Sequence, residues 1–420
     1  MSEYADIPRA SVVIPTYNRA EELSKTLETM TEQDVDPQGF EVIVADDGSS
    51  DDSADVARSF AGRLRLKYFF QEDEGFRAGA ARNGGARLAA APLLIFLDSG
   101  TLAGPGMVSG HLAAHAGSEE RRAVMGYCYG YNAFPEKIWV PDTDTDTLRP
   151  AEILRRYVDN PLFVDVRSRD FARGGSDPMK WPIPWMHFFS GNCSVPAEDF
   201  WTVGGFDETF RSWGVEDIEL GYRLLNSGSA MALAPDAWTI ELPKQRPKKR
   251  LIYSLMRNGR QFLAKHPEPY VEILADSYLG GRLGTIWDEG LALKLWTQEA
   301  RELEVRAEIE AAAEGMAADG GLVIFGCGPS VPEWLPAAAL ADFDAGLLAK
   351  ATAGGTHTAH HAIGLHTGLP SKSADVVIVT SRLRGLWDSH GGQIMREAGR
   401  IGRRVVVSPA ANPAGFAAGR

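Results

Sequence analysis

Short apolar, β-branched runs alternate with helical stretches through the first hundred residues. Residues 11–15 (SVVIP), 40–45 (FEVIVA), 66–70 and 93–97 (LLIFL) each read as a strand buried on both faces, the pattern of a parallel sheet. Acids in the first turn after Arg19 predict a helix over residues 20–32. Each strand run stops in polar residues: Thr16-Tyr17-Asn18-Arg19, then Asp46-Asp47-Gly48-Ser49-Ser50-Asp51, then Asp98-Ser99-Gly100-Thr101. The alternation predicts an α/β fold, and in open sheets of this kind ligands bind beyond the carboxyl ends of the strands. A carboxylate at Asp46 or Asp47 suits hydrogen bonds to a nucleotide's base or ribose, and suits equally an Asx turn that caps the next helix.

A second pattern occupies residues 203–225 (VGGFDETFRSWGVEDIELGYRLL). A Gly-Gly turn leads through Phe206-Asp207-Glu208 and Trp213-Gly214 to Glu216-Asp217, which open a run with helical spacing. Carboxylates at a helix start are favoured by its dipole, whether as solvated caps or as a base held ionised for proton abstraction. Residues 126–189 are rich in aromatics and acids. Trp139, Trp181, Trp185, His187 and Asp159 are candidates for a polyhydroxylated ligand, with core packing as the other reading for most of the aromatics. The run Asp142 to Asp146 (DTDTD) follows Pro141 without a buried strand and is expected to be an exposed loop.

Composition changes after Pro243. Residues 251–265 and 291–314 carry helical patterns, the second ending at Gly315. Residues 321–325, 374–380 and 403–408 read as further parallel strands, with a Gly326-Cys327-Gly328 turn after the first. His357, His360, His361 and His366 fall in a Gly/Thr/Ala-rich stretch expected to be a mobile surface loop. The expected organisation is a first domain over 1–250, with halves 1–105 and 106–250, then a helical linker over 251–319. A small Rossmann-like α/β domain over 320–420 completes it.

The 420 residues hold 43 Lys plus Arg against 56 Asp plus Glu, a formal net charge of −13. This excess of acid argues against general binding to nucleic acid or anionic membrane. Three widely spaced cysteines, Cys128, Cys193 and Cys327, give no disulfide framework or zinc pattern. No apolar run approaches the ~20 residues of a membrane span, and the start MSEYADIPRA lacks the apolar segment of a secretory signal. A soluble cytoplasmic protein is expected.

SVVIPTYNR, VIVADDGSSDDS, GFRAGAARNGGA and FLD, in this order, resemble the nucleotide-sugar half of glycosyltransferase family 2, and residues 203–225 resemble its acceptor-side motif. The Trp-Gly…Glu-Asp segment is similar to that of chondroitin-type polymerases. The resemblance implies a GT-A fold, a Rossmann-like domain with a mixed sheet. It implies that Asp47 contacts uracil, that Pro15, Thr16 and Asn18 surround the base, and that Arg77, Arg82 and Asn83 flank the ribose and diphosphate. Asp98 matches the first acid of the Asp-x-Asp motif that holds Mg²⁺ or Mn²⁺. Asp217 matches the catalytic base, and Glu216 the acid that orients the acceptor, with Trp213, Trp185 and His187 expected nearby.

Two features depart from the family pattern. The second acid of Asp-x-Asp is Gly100, and Glu241 stands where the family often has a histidine metal ligand. The basic run Lys244, Arg246, Lys248, Lys249 and Arg250 reads either as a loop closing on the diphosphate or as a solvated loop. The expected reaction is inverting transfer of a hexose from UDP-glucose or another UDP-hexose to a hydroxyl of a soluble, small polyhydroxylated acceptor. A homodimer through the C-terminal domain is a further expectation. The alternatives are a glycan-building transferase, a non-catalytic nucleotide-sugar scaffold, and a two-activity protein with a methyltransferase-like C-terminal domain.

Overall fold

The computed structural model describes residues 7–117, 120–132, 142–243, 248–317 and 320–411. The chain divides into two compact units, Met1–Asn258 and Gly259–Arg420.

The first unit is built on β1 (Ala10–Thr16), α1 (Ala20–Met30), β2 (Phe40–Asp46), α2 (Ser53–Ser59), β3 (Leu66–Phe70), α3 (Ala78–Arg87), β4 (Leu93–Leu97), β5 (Thr101–Ala103) and α4 (Met107–His115). It continues with β6 (Arg122–Tyr129), α5 (Asp142–Thr147), α6 (Pro150–Tyr157), α7 (Ser168–Gly174), β7 (Asn192–Pro196), α8 (Ala197–Thr202), α9 (Glu216–Asn226) and β8 (Ala230–Glu241). The boundary between units falls within α10 (Lys248–Lys265). Eight strands form one sheet in the order β3-β2-β1-β4-β7-β6-β8-β5. The β3-β2-β1-β4 side is parallel, and β7 joins β4 antiparallel, which makes the sheet mixed.

β1, β2 and β4 are buried throughout, as their unbroken apolar runs require. Their side chains pack with Leu23, Leu27 and Met30 of α1 in one core. Helix α3 lies close on the sheet because it has glycine where it meets it. A Cβ at Gly84 would stand 2.2 Å from the Phe69 ring, and one at Gly85 would stand 2.8 Å from Val13. That approach sets the height at which Arg82 and Asn83, the two residues directly before these glycines, meet the sheet edge.

The aspartates of residues 142–146 belong to helix α5, not to a loop. Asp144 accepts from the Tyr157 hydroxyl and pairs with Arg156, while Asp146 pairs with Lys25 of α1, so the acids are neutralised by neighbours that sequence separation hides.

The second unit holds α11 (Pro269–Gly280), α12 (Ile286–Glu299), α13 (Arg306–Ala313), β9 (Leu322–Phe325), β10 (Ala338–Asp342), α14 (Ala345–Thr352), β11 (Thr358–His361), β12 (Ala374–Val379), α15 (Trp387–Ile401) and β13 (Gly402–Val407). Its sheet is parallel throughout, in the order β11-β10-β9-β12-β13. The helical pattern over 291–314 is broken in two at Leu303, because Val305 is drawn into the core beneath β9 and β12. His360 and His361 lie on strand β11, not in a mobile loop. His357 accepts from the Ala338 amide and His366 pairs with Asp276, so the four rings serve different neighbours.

Candidate active site

Parallel register aligns the polar ends of β1, β2 and β4. Thr16 stands opposite Asp46, and β4 flanks β1 on the other side, so Thr16, Asp47 and Asp98 share one edge. Pro15 lies within β1, opposite Ala45. Asn18, at φ +49°, ties two loops together: its amide donates to Ser49 Oγ and its Oδ1 accepts from the Ser50 amide, each at 2.8 Å. The acids at the end of β2 divide their work. Asp46 accepts from the Ser49 amide and the Tyr68 hydroxyl, which is the Asx-turn role. Asp47 faces the other way, accepting from Gln71 Nε2 (2.5 Å) and the Arg77 amide (2.8 Å), with Arg77 Nε 4.0 Å away.

Arg82 links the two halves of the unit. The residue is 4% exposed, and its guanidinium reaches Asp98 Oδ1 at 2.8 Å and Glu216 Oε1 at 3.4 Å, 134 positions along the chain. Burial works against its charge, but Asp98 and Glu216 outweigh burial and hold it protonated. Asn83 completes the joint by bonding to both backbone groups of Phe206 and to Glu208.

Glu216 and Asp217 are the first two residues of α9. The chain turns into that helix through Gly214 at φ +88° and Val215 at φ +81°. A β-branched residue in the left-handed region costs about 1–3 kcal/mol, and such strain collects at functional sites. Asp217 Oδ2 accepts from the Ser190 amide at 3.1 Å and Oδ1 from the Ile218 amide at 2.9 Å. Burial pushes both carboxyls up. The Asp217 charge adds to the push on Glu216, which reaches about 7, while Arg82 pulls both back. Among the described residues, Oε2 of Glu216 and Nε of Arg82 have no hydrogen-bond partner. A buried glutamate and a half-buried aspartate beside one arginine, with polar atoms to spare, can take up a hydroxyl and remove its proton.

The expected acceptor residues need correction. Trp185 and His187 are 4% and 2% exposed; Trp185 meets Tyr222 edge-on, and His187 packs against Trp181 and Phe171. Their place is in the core, since neither presents a ring face. Trp213 is half-buried, and Asp159 is exposed. Lys248, Lys249 and Arg250 form the exposed first turn of α10, whereas Trp139, Lys244 and Arg246 lie outside the described residues. Ser190 and Gly191 were not legible in the sequence, because they act through backbone: the Asp98 amide donates to Gly191 O at 3.3 Å.

Asp98 provides the test for a cation. A Cβ at Gly191 would stand 3.6 Å from Asp98 Oδ2, so glycine keeps that oxygen's flank clear. Mg²⁺ is commonly held by one or two carboxylates with the remaining ligands from phosphate and water, and a single Asp at this edge suits that arrangement. Glu241 ends β8, buried and in register with Thr101, its charge reaching the Cys128 thiol. Among the described residues, no group of three or more His, Cys, Asp or Glu forms an all-protein cage.

In the second unit, the Gly326-Cys327-Gly328 turn and Asp342 sit where a Rossmann-type sheet receives a nucleoside. Here Arg382 fills the place. It is fully buried, forks onto both Asp342 oxygens at 2.8 and 3.0 Å, and donates to Ala300 O. Its stem would lie 3.2 Å from a Cβ at Gly328.

Residues 11–176 match the profile of glycosyl transferase family 2, and residues 173–246 that of the N-terminal domain of galactosyltransferase. The chain is 42% identical over 412 residues to validoxylamine A glucosyltransferase of Streptomyces hygroscopicus subsp. limoneus, spanning 95% of this chain and 90% of that protein. It is 31% identical over 225 residues to chondroitin synthase of Escherichia coli, 52% of this chain and 32% of that one. Among solved structures, mannosyltransferase PcManGT of Pyrobaculum calidifontis, in complex with GDP-Man and Mn²⁺, aligns over 73% of this chain and 80% of that one, with a TM-score of 0.47 and 19% identity. No helix among the described residues is long and apolar enough to cross a membrane. With its mixed sheet, its acidic helix start and a relative 42% identical over 95% of this chain, the chain belongs to glycosyl transferase family 2 and is a glycosyltransferase.

Proposed function

We propose that this enzyme moves glucose from UDP-glucose to a hydroxyl of a small polyhydroxylated acceptor of the validoxylamine type, with inversion at the anomeric carbon. The observation that carries the reading is the span of the match. The glucosyltransferase relative matches both units, whereas the chondroitin synthase shares only about half of this chain. A glycan-building activity would rest on that shared half alone.

The residues divide the work as follows. Asp47, Pro15, Thr16 and Asn18 receive the base, with Arg77 at the edge. Arg82, flanked by Asn83 and held by Asp98 and Glu216, sets a fixed positive charge where the leaving diphosphate gathers negative charge, a preorganised stabilisation that needs no rearrangement during the reaction. Asp217 takes the proton from the acceptor hydroxyl as that oxygen attacks, and Glu216 accepts a hydrogen bond from a neighbouring hydroxyl through Oε2. Mg²⁺ or Mn²⁺, held by Asp98, would add charge neutralisation at the diphosphate. Trp213, half-buried and three residues before Glu216, is assigned to the acceptor. The filled cleft around Arg382 counts against a second, nucleoside-dependent activity.

Incubation with UDP-glucose and validoxylamine A, followed by mass spectrometry and proton NMR, tests the reading. The expected product is heavier by one hexose and carries a β-anomeric coupling. Transfer to a glycan oligomer but not to validoxylamine A would overturn the acceptor assignment.

A further inference from the structure

Asp165 and Arg167 lie between α6 and α7, outside every motif discussed above, yet both are almost fully buried. Asp165 accepts from Arg167 Nε at 2.9 Å and Nη2 at 2.7 Å, and from the Cys128 amide at 2.9 Å. The remaining guanidinium donors go to backbone: Nη1 to His187 O at 2.8 Å and Nη2 to Gly126 O at 2.9 Å. The guanidinium also stands 4.8 Å from the centre of the Phe189 ring and 5.1 Å from that of Phe171. One side chain therefore joins β6 to residues 187–189. Burying an ion pair this deep is weak as a source of stability, because desolvation offsets most of the attraction. What the pair supplies is geometry, since a planar fork fixes several acceptors at once.

The next two residues show what that geometry serves. The Ser190 amide donates to Asp217 Oδ2 at 3.1 Å, and Gly191 O accepts from the Asp98 amide at 3.3 Å. We propose that Arg167, braced by Asp165, is a positioning residue for sugar transfer: it fixes the 187–191 segment so that Ser190 and Gly191 orient Asp217 and Asp98. The proposal rests on the reading of Asp217 as the base. Arg167 touches neither substrate nor the reacting atoms. It acts through the loop, and a displacement of about 1 Å at a reacting group is enough to cost about a hundredfold in rate.

The test is Arg167→Lys in the full chain, which keeps the buried charge but cannot span Asp165, Gly126 O and His187 O together. With UDP-glucose and validoxylamine A, kcat is expected to fall about tenfold to a hundredfold, while the Kd for UDP stays within about twofold of the parent. In an Asp217→Glu background, whose longer side chain already leaves the Ser190 amide, the same Arg167→Lys change is expected to cost little more, because residues acting as a unit are not additive. A full multiplicative loss in that background, or a UDP Kd that weakens as much as kcat falls, overturns the proposal. Should Arg167→Lys fail to fold, Phe189→Leu removes the ring beside the guanidinium without unpairing a charge and goes through the same cycle. Asp217→Asn separates the two readings: near-parent turnover there sinks the base assignment, whereas lost turnover with an additive cycle sinks only the role of Arg167.

Discussion

Two buried arginines, one in each unit, stand near the carboxyl ends of parallel strands and pair with aspartates, yet they serve opposite purposes. Arg382 and Asp342 saturate each other. Both Asp342 oxygens accept from the guanidinium and from a backbone amide, and all three guanidinium nitrogens donate. Arg82 is shared between Asp98 and Glu216, and among the described residues its Nε and the Glu216 Oε2 have no hydrogen-bond partner. A saturated pair fixes a fold, whereas a buried cluster with polar atoms to spare is costly until a ligand completes it. The difference separates a closed nucleoside-type cleft from a working site on two sheets of the same general build.

The sharpest way to break this contrast is Asp217→Asn. It should lower kcat by about 10²–10⁴ while UDP binding by calorimetry stays at the parent value; turnover close to the parent would remove the cluster's catalytic role. The paired variants Arg82→Met and Arg382→Met come next. Arg82→Met should cost about 10²–10³ in kcat, as loss of a preorganised charge does. Arg382→Met should leave kcat per folded molecule alone but destabilise the protein by about 3–5 kcal/mol, the cost of stranding a buried charge. Denaturant unfolding alongside kinetics reads both, and a kinetic loss at Arg382 would erase the distinction.

A smaller effect lies in pH. Glu216 is raised from 4.5 to about 7, so in that window the folded enzyme keeps a proton that the unfolded chain has released. Its contribution to stability is therefore fullest at low pH and is lost as pH rises from about 4.5 to about 7. Activity runs the other way, since the acid pair works ionised. The pair titrates together, and kcat should fall on acidification with a midpoint near neutrality. A midpoint near 4 in the pH–rate profile would contradict the upward push that burial gives Glu216. The smallest change expected is from Gly214→Ala, whose Cβ would stand 2.9 Å from Leu255 at φ +88°. It should cost about 1–2 kcal/mol, measurable as a lowered unfolding midpoint. An unchanged midpoint would mean that the turn into α9 relaxes.

Much of the donor side was legible because it is local. A buried parallel strand writes an unbroken apolar run, and the polar residue that ends it lands at the sheet edge whatever the rest of the chain does. Asp47, Asp98 and the helix start at Glu216 are of this kind, and their motifs sufficed to indicate a nucleotide-sugar transferase. The misreadings share one cause. Trp185 and His187 have the chemistry of a sugar platform, and only packing decides whether a ring faces a cleft or a core. The aspartates of α5 look like a free acidic loop until Lys25, Arg156 and Tyr157 arrive from elsewhere in the chain.

The sequence by itself determined the α/β class of the fold, the family, and the residue types that can do the chemistry, because strand ends, helix caps and Gly-Gly turns depend on neighbours in the chain. The tertiary structure alone decided that Arg82 spans Asp98 and Glu216, that Ser190 and Gly191 serve the carboxylates through their backbone, and that Arg382 closes the second sheet's cleft. Those assignments join residues up to 134 positions apart or use groups that every residue carries, and neither leaves a mark in the order of side chains.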